Sequence, residues 1–370
     1  MGESVRFSRG KQLAVIEAGN IRGLGSVAVC KELIPALLKK LVEQKYLVRL
    51  IASDKLLASL KIPLALSSSV LLVEQKHNFF HVVMRILRYF YRASVNNGDK
   101  LLVLGDLPFS IKSDQAVFLQ QPNIISSSVD KLVGQSFKFK VMRYIFARNI
   151  RHASRVIVQT EAMKKNAMLS YNLPAEIISV ARHQLPKIEI EKPTASNLSN
   201  RGCPWVFFYP ASNYLHKNHA LLWAAIHLID SLKLDVRFDL TINADQAPEA
   251  VRGSRYIRYL GPLTASDCYR HYVNCDALFF PSKLESYGLP LLEALRIFNI
   301  PVLAADRPYA REVCGELAVY FDPDRPEDFV EKLNTMLGVG LTPVTSESVG
   351  RLPALVTWDE MAAQLLGCKA

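Results

Sequence analysis

The constraint that dominates this chain is a recurring couplet, a short apolar run followed by a longer amphipathic stretch. In the first half, residues 13–18, 47–52, 100–104, 116–121, 155–160 and 177–180 read as strands. In the second half, residues 205–209, 236–242, 257–261, 277–280, 301–306 and 318–322 do the same. Strands alternating with helices favour an α/β fold with parallel, doubly wound sheets. A length of 370 residues, half of them hydrophobic, favours two cores over one. Residues 186–203 are rich in Lys, Glu, Ser and Asn without a period, and form the expected linker. The expected domains are therefore 1–185 and 204–350, with a closing helical segment at 351–370.

No apolar run approaches the ~20 residues of a membrane span. Residues 1–11 are polar and basic, with no apolar core of signal-peptide type behind them, so a cytoplasmic location is expected. The six cysteines, at 30, 203, 268, 275, 314 and 368, have neither CxxC nor zinc-finger spacing and read as scattered buried thiols.

The net charge of +11 is unevenly placed. Residues 1–185 hold 27 Lys and Arg against 12 Asp and Glu, whereas the remainder holds 18 against 22. Two segments of the basic half have aromatic, amphipathic character. In residues 78–92, Arg85, Arg88 and Arg92 share one helical face, and residues 137–148 alternate Phe and Tyr with Lys and Arg. Each alone fits an ordinary packing helix with a solvated basic face. Two in one strongly basic half favour an acidic membrane surface as partner. Nucleic acid is disfavoured, because no helix-turn-helix, zinc or RNA-binding aromatic signature is found.

The richest chemistry lies in Ser282-Lys283-Leu284-Glu285-Ser286-Tyr287-Gly288-Leu289-Pro290-Leu291-Leu292-Glu293. A strand leads into it, and a helix opens at Gly288-Leu289-Pro290. That opening presents unpaired backbone N–H groups and the positive end of the helix dipole, which suit an anion. Pro290 fits the first turn, and Gly288 allows close approach of a ligand. Glu285 on the loop and Glu293 one turn in can accept hydrogen bonds from hydroxyl groups. Phosphate on the N–H groups with hydroxyls on the carboxylates describes a nucleotide-sugar. The plainer reading, Glu293 complementing the dipole and Glu285 solvated, fits the spacing equally.

Other candidates are local. Gly23-Leu24-Gly25 joins the first strand to a helix expected over 27–44. It lacks the full GxGxxG, so a tight turn and a ligand-facing loop both fit. Asp106 ends a strand in Gly-Asp-x-Pro, where functional residues collect, although a turn or capping role is the simpler one. Lys217 falls at a helix N-terminus, where a cation opposes the dipole, and a bound phosphate would explain it. His216 and His219 lack the carboxylates that would complete a metal site and read as packing or local hydrogen-bonding residues.

Taken together, these residues resemble a known family. Pro281-Ser282, Glu285-Ser286-Tyr287-Gly288-Leu289-Pro290 and Glu293 are similar to the Glu-x7-Glu signature of retaining nucleotide-sugar glycosyltransferases of family 4. Leu260-Gly261, Cys275-Asp276-Ala277, Arg311-Glu312-Val313, Tyr320-Phe321-Asp322-Pro323, Thr357-Trp358 and the run from Val156 to Thr160 match at corresponding separations. The resemblance implies a GT-B fold, two Rossmann-like domains facing across a cleft, the donor on the second and the acceptor on the first. It implies that Glu293 binds the donor ribose and Glu285 the transferred sugar. Backbone N–H groups at Tyr287, Gly288 and Leu289 would meet sugar and diphosphate, and Lys217 would neutralise the leaving diphosphate. The Gly23 and Gly25 loop would close over the phosphates, and the last helix would cross back to the first domain. No metal or cofactor is implied beyond a UDP- or GDP-sugar donor. Ser212 stands where the family has an Arg, which leaves Arg22 and His216 as candidates for the second cation. The family's active-site His in the first domain is not evident, which leaves Asp106.

The function implied is hexosyl transfer with retention to a glycan or lipid-linked acceptor at the inner membrane face, in lipopolysaccharide, O-antigen or exopolysaccharide synthesis. A GT-B nucleotide-sugar epimerase and a non-catalytic, membrane-associated scaffold are the alternatives.

Overall fold

The computed structural model of the chain describes residues 12–75, 99–111, 113–125, 137–187, 204–341 and 344–368. Two compact units emerge, one of Met1–Pro186 together with Leu355–Ala370, the other of Lys187–Ala354. The basic segment at 78–92, the N-terminal residues 1–11 and most of the expected linker lie outside the described residues.

The first unit is built on a seven-stranded sheet in the order β3-β2-β1-β4-β5-β6-β7. Its strands are β1 (Leu13–Ala18), β2 (Leu47–Ala52), β3 (Val70–Glu74), β4 (Lys100–Val103), β5 (Asp114–Phe118), β6 (Arg155–Val158) and β7 (Ile178–Val180). Every neighbouring pair is parallel. The helix Leu24–Glu43 buries Val29, Cys30, Leu33, Ile34, Leu37, Leu38 and Leu41, a stripe at three- and four-residue spacing. The last helix, Trp358–Leu366, packs on that helix and belongs to this unit. Its start is fixed by a capping box in which Thr357 and Glu360 satisfy each other's backbone N–H groups.

The second unit is built on a six-stranded sheet in the order β10-β9-β8-β11-β12-β13. It comprises β8 (Trp205–Tyr209), β9 (Val236–Leu240), β10 (Ile257–Tyr259), β11 (Ala277–Phe280), β12 (Val302–Ala305) and β13 (Ala318–Phe321). These pairs are also parallel. Phe207, Phe238, Phe279, Phe321 and Phe329 form one aromatic core, with ring centres 5.0–6.1 Å apart for Phe279–Phe329, Phe321–Phe329 and Phe238–Phe329.

Both sheets reverse direction once. Strand order runs outward one way from β1 and the other way from β4, and likewise from β8 and β11. Such switch points open a crevice beyond the strand carboxyl ends where ligands bind in open α/β sheets.

Several expectations needed correction. β3 carries no strand in the sequence reading, because its residues are mostly half-exposed and short of a clear pattern. β5 begins and ends earlier than expected, so Gln120 and Gln121 lie beyond its end. The helix after β1 begins at Leu24, which puts Gly25 inside its first turn and leaves Gly23 as the cap. Cys30, Cys275 and Cys314 are buried, but Cys268 is half-buried and Cys368 exposed. Among the described residues, no helix is long and apolar enough to cross a membrane.

Candidate functional site

The switch point of the second sheet gathers the signature residues. After β8 the chain passes exposed Ser212 and a single 3-10 turn, Leu215–Lys217, before the helix His219–Ser231. Asn218 joins the two in a left-handed conformation, and its side-chain N–H donates to the Pro323 carbonyl at 2.8 Å. The Tyr209 hydroxyl donates to the Lys217 carbonyl at 2.7 Å, fixing the turn from below. After β11, Ser282 is fully buried, and the Tyr309 hydroxyl donates to its carbonyl at 2.5 Å. The Lys283 backbone N–H donates to the His216 carbonyl at 2.7 Å, which stitches the two loops together.

These constraints bring Lys217 and Glu285 into contact. Lys217 Nζ lies 2.5 Å from Glu285 Oε1, and the Ser282 hydroxyl is 2.6 Å from the same oxygen. The pair is largely shielded, with side-chain exposures of 17% and 14%. The Lys217 ammonium also sits 5.8 Å from the centre of the Phe280 ring. The sequence assigned Lys217 to phosphate and Glu285 to sugar as separate contacts; in the structure they form one ion pair.

The helix then opens as expected. Gly288 takes φ +76, and a Cβ there would lie 3.0 Å from the Leu291 side chain. Leu289 and Pro290 occupy the first helical positions. The Tyr287 ring is buried, so its backbone is what that residue can offer. At Ala294 the helix widens into a π-helical stretch, Ala294–Phe298. Glu293 is the last residue before it, half-buried, with Oε2 accepting from the Tyr272 hydroxyl at 3.0 Å. Tyr272 is fully buried, stacked on Phe298 at 4.7 Å and edge-on to Phe208 at 5.1 Å. Burial pushes the Glu293 pKa up to about 7, and the Tyr272 hydrogen bond pulls the other way.

His216 stacks on Tyr214 at 5.7 Å, and burial lowers its pKa. His219 is buried between Tyr209 and Trp223, with neither ring nitrogen hydrogen-bonded among the described residues and its pKa lowered to about 4 by burial. It stays neutral at physiological pH and serves as packing. Among the described residues, no three His, Cys, Asp or Glu side chains are grouped to hold a metal ion.

The remaining candidates belong to the first unit. Arg22 and Gly23 are exposed, and Gly23 accepts from the Val27 N–H at 2.8 Å as helix cap. Asp106 is half-buried after β4, with Oδ1 accepting from the Gln120 and Gln121 N–H groups at 2.6 and 2.9 Å. Sequence reading missed Tyr272, Ser282 and Tyr309 as site residues. Ser282 and Tyr309 hold the loop bearing Glu285, and Tyr272 holds Glu293. Tyr272 lies 21 positions before Glu293 on a different helix, so no local spacing marks it.

Two Rossmann-like units of this topology are the GT-B architecture, and solved structures share it along nearly the whole chain. HepE of Anabaena, determined in complex with UDP and glucose, superposes with a TM-score of 0.58 at 15% identity, covering 97% of both chains. WaaG, a glycosyltransferase involved in lipopolysaccharide biosynthesis, superposes with a TM-score of 0.59 at 11% identity, covering 96% of this chain and 95% of the other. At such identities the likeness defines the fold. In sequence, residues 198–339 match the family of glycosyl transferases group 1, a segment that contains the whole site built above. The O-antigen chain mannosyltransferase RfbU of Salmonella typhimurium is 26% identical over 195 residues, which are 51% of this chain and 53% of RfbU. The chain thus spans about half the length of that relative. The serotype-specific mannosyltransferase WbdA of Escherichia coli is 34% identical over 98 residues, 26% of this chain and 11% of WbdA.

Proposed function

We propose that this protein is a retaining glycosyltransferase that moves a hexose from a nucleoside-diphosphate sugar to a glycan or lipid-linked acceptor in lipopolysaccharide or O-antigen synthesis. The observation that carries the reading is the Lys217–Glu285 pair at the second sheet's switch point, followed by the helix that carries Glu293, inside the segment matching group 1 glycosyl transferases. The names of RfbU and WbdA make mannose the first sugar to test.

In this reading the second unit takes the donor. Glu293 accepts from the ribose hydroxyls with the oxygen that Tyr272 leaves free. The diphosphate draws Lys217 away from Glu285, and Glu285 turns to a hydroxyl of the transferred sugar. Lys217 and the backbone N–H groups at Gly288 and Leu289 hold the departing charge, so no metal ion is required. The bond from C1 to the diphosphate oxygen breaks as the acceptor oxygen bonds C1 from the same face. The acceptor proton passes to the leaving oxygen. The first unit takes the acceptor. Its helix Phe137–Asn149 supports peripheral attachment to an acidic membrane, with Phe137 and Tyr144 81% and 62% exposed beside exposed Lys138, Lys140 and Arg148. Ile145 and Phe146 anchor that helix to the core.

A thermal-shift panel of nucleoside diphosphates and their mannose and glucose conjugates identifies the donor, because ligand bound to the native state alone raises the melting temperature. With the matched donor, Lys217→Ala and Glu293→Ala are expected to lower transfer by about 10²-fold or more. Undiminished turnover in either would refute the assignment. Donor conversion without any acceptor would point to epimerase chemistry instead. Rates that persist in EDTA, and salt-sensitive sedimentation with anionic vesicles, are the expected results for metal independence and membrane attachment.

A further inference from the structure

The first sheet has a switch point of its own, between β1 and β4, and it is polar. Asn20 follows β1 and fills the space beside Gly105 so closely that a Cβ on Gly105 would overlap its Oδ1. Asp106 follows with φ +73. Aspartate tolerates this left-handed conformation better than most residues, at a cost on the order of 1 kcal/mol. Two backbone N–H groups just beyond β5 hold it there through Oδ1, while among the described residues Oδ2 accepts no hydrogen bond. On the same turn, half-buried Gln121 accepts through Oε1 from the Asn123 backbone and side chain at 3.3 and 2.8 Å. Its Nε2 donates to none of the described residues. The buried Oδ1 atoms of Asn20 and Asn123 have no hydrogen-bond partner among the described residues.

A strained backbone position held by two amides, with one carboxylate oxygen left over, is what a ligand-facing residue shows. A turn cap needs only Oδ1. A free acceptor and a free donor on adjacent turns match a sugar ring, whose neighbouring hydroxyls both donate and accept. Resting on the reading of the first unit as the acceptor side, we propose that this edge binds an uncharged sugar ring of the acceptor. Asp106 Oδ2 accepts from one hydroxyl and Gln121 Nε2 donates to the next. An anionic group is disfavoured there, because Asp106 is a carboxylate at neutral pH and the cation that acts on it, Lys138, is exposed.

Saturation-transfer NMR on the full chain tests this with the methyl α-glycosides of mannose, glucose, galactose and N-acetylglucosamine, set against mannose 1-phosphate. At least one glycoside is expected to receive saturation. Asp106→Asn keeps an Oδ1 for the two amides and tolerates the left-handed φ, but presents an NH2 group in place of Oδ2. It is expected to weaken glycoside binding about tenfold, as is Gln121→Leu. Calorimetric binding of the nucleoside diphosphate is expected to be unchanged in both. If Asp106→Asn also weakens the diphosphate, Gln121→Leu decides alone. The proposal is overturned if no glycoside binds, if mannose 1-phosphate binds more tightly than the glycosides, or if both variants bind glycoside like the wild type. Absence of any nucleoside diphosphate binding would instead sink the donor reading, and the glycoside result would still stand.

Discussion

Glu293 is held by burial in a state where its charge is expensive, and this has a pH signature. Its folded pKa of about 7 lies above the ordinary value of 4.5. Between those values the folded state binds more protons than the unfolded one, so stability falls as pH rises through that window. Glu293→Gln should remove the slope and leave the second unit more stable at pH 7.5, by on the order of 1–3 kcal/mol. Thermal melts at several pH values read this directly. Donor affinity should move the opposite way, falling below about pH 7 as the carboxylate that accepts from hydroxyls is protonated. Glu285 has a cationic partner in Lys217. Lys217→Ala leaves a shielded carboxylate with only the Ser282 hydroxyl and should cost on the order of 1–3 kcal/mol in denaturant unfolding. At this scale the sequence named candidate residues but not how they are paired. Glu285, Gly288 and Glu293 stand in one local motif, where spacing carries information. Lys217 is 68 positions from Glu285, and Tyr272 is 21 positions from Glu293 on another helix.

Among the elements, the last helix is anchored at both ends by groups that local patterns conceal. At its start, the fully buried His183 ring stacks on Trp358 at 4.9 Å. Nδ1 of His183 lies 2.8 Å from the Gln184 carbonyl and Nε2 lies 2.9 Å from the Gln159 amide nitrogen, which together require a neutral ring protonated at Nδ1. At its end, Lys100 and Arg155 donate to the Leu366 and Leu365 carbonyls, each at 3.3 Å, and share Asp114 at 2.6 Å. Cations there complement the negative end of the helix dipole. Burial lowers the His183 pKa from 6.5 to about 4. The unfolded chain therefore binds more protons in that window, and stability is lost as pH falls through it, up to roughly 3 kcal/mol. His183→Phe keeps the stack and should flatten this dependence, measured as amide exchange over residues 357–366. Asp114→Ala should loosen the same helix at neutral pH by leaving two partly shielded cations unshared. Strands β11 and β12 were legible because they are buried along their whole length and read as unbroken apolar runs. β3 was not, because much of it is half-exposed and its apolar residues signal no face.

For the molecule, two separate cores imply two unfolding events. The three tryptophans divide unevenly, with Trp358 in the first unit and Trp205 and Trp223 in the second. In a Trp358→Phe variant, fluorescence reports the second unit alone. Nucleoside diphosphate should raise that transition, and an unchanged midpoint with saturating ligand would contradict a donor site there. The two-core plan was legible from length and from the polar stretch at 186–203. The return of the chain was not written in any pattern of residues 355–368 themselves and entered only through family resemblance. That return has a consequence for synthesis. Helix Leu24–Glu43 packs against a helix that the ribosome adds only after the whole second unit. At about 5–20 residues per second, some 15–60 seconds separate the two segments. During that interval the second unit, encoded without interruption, can close its own core, while the first remains open along one apolar stripe. A truncation that spares every signature residue but removes the final turns would leave that stripe bare, and should be sought in the aggregate rather than among inactive soluble enzyme.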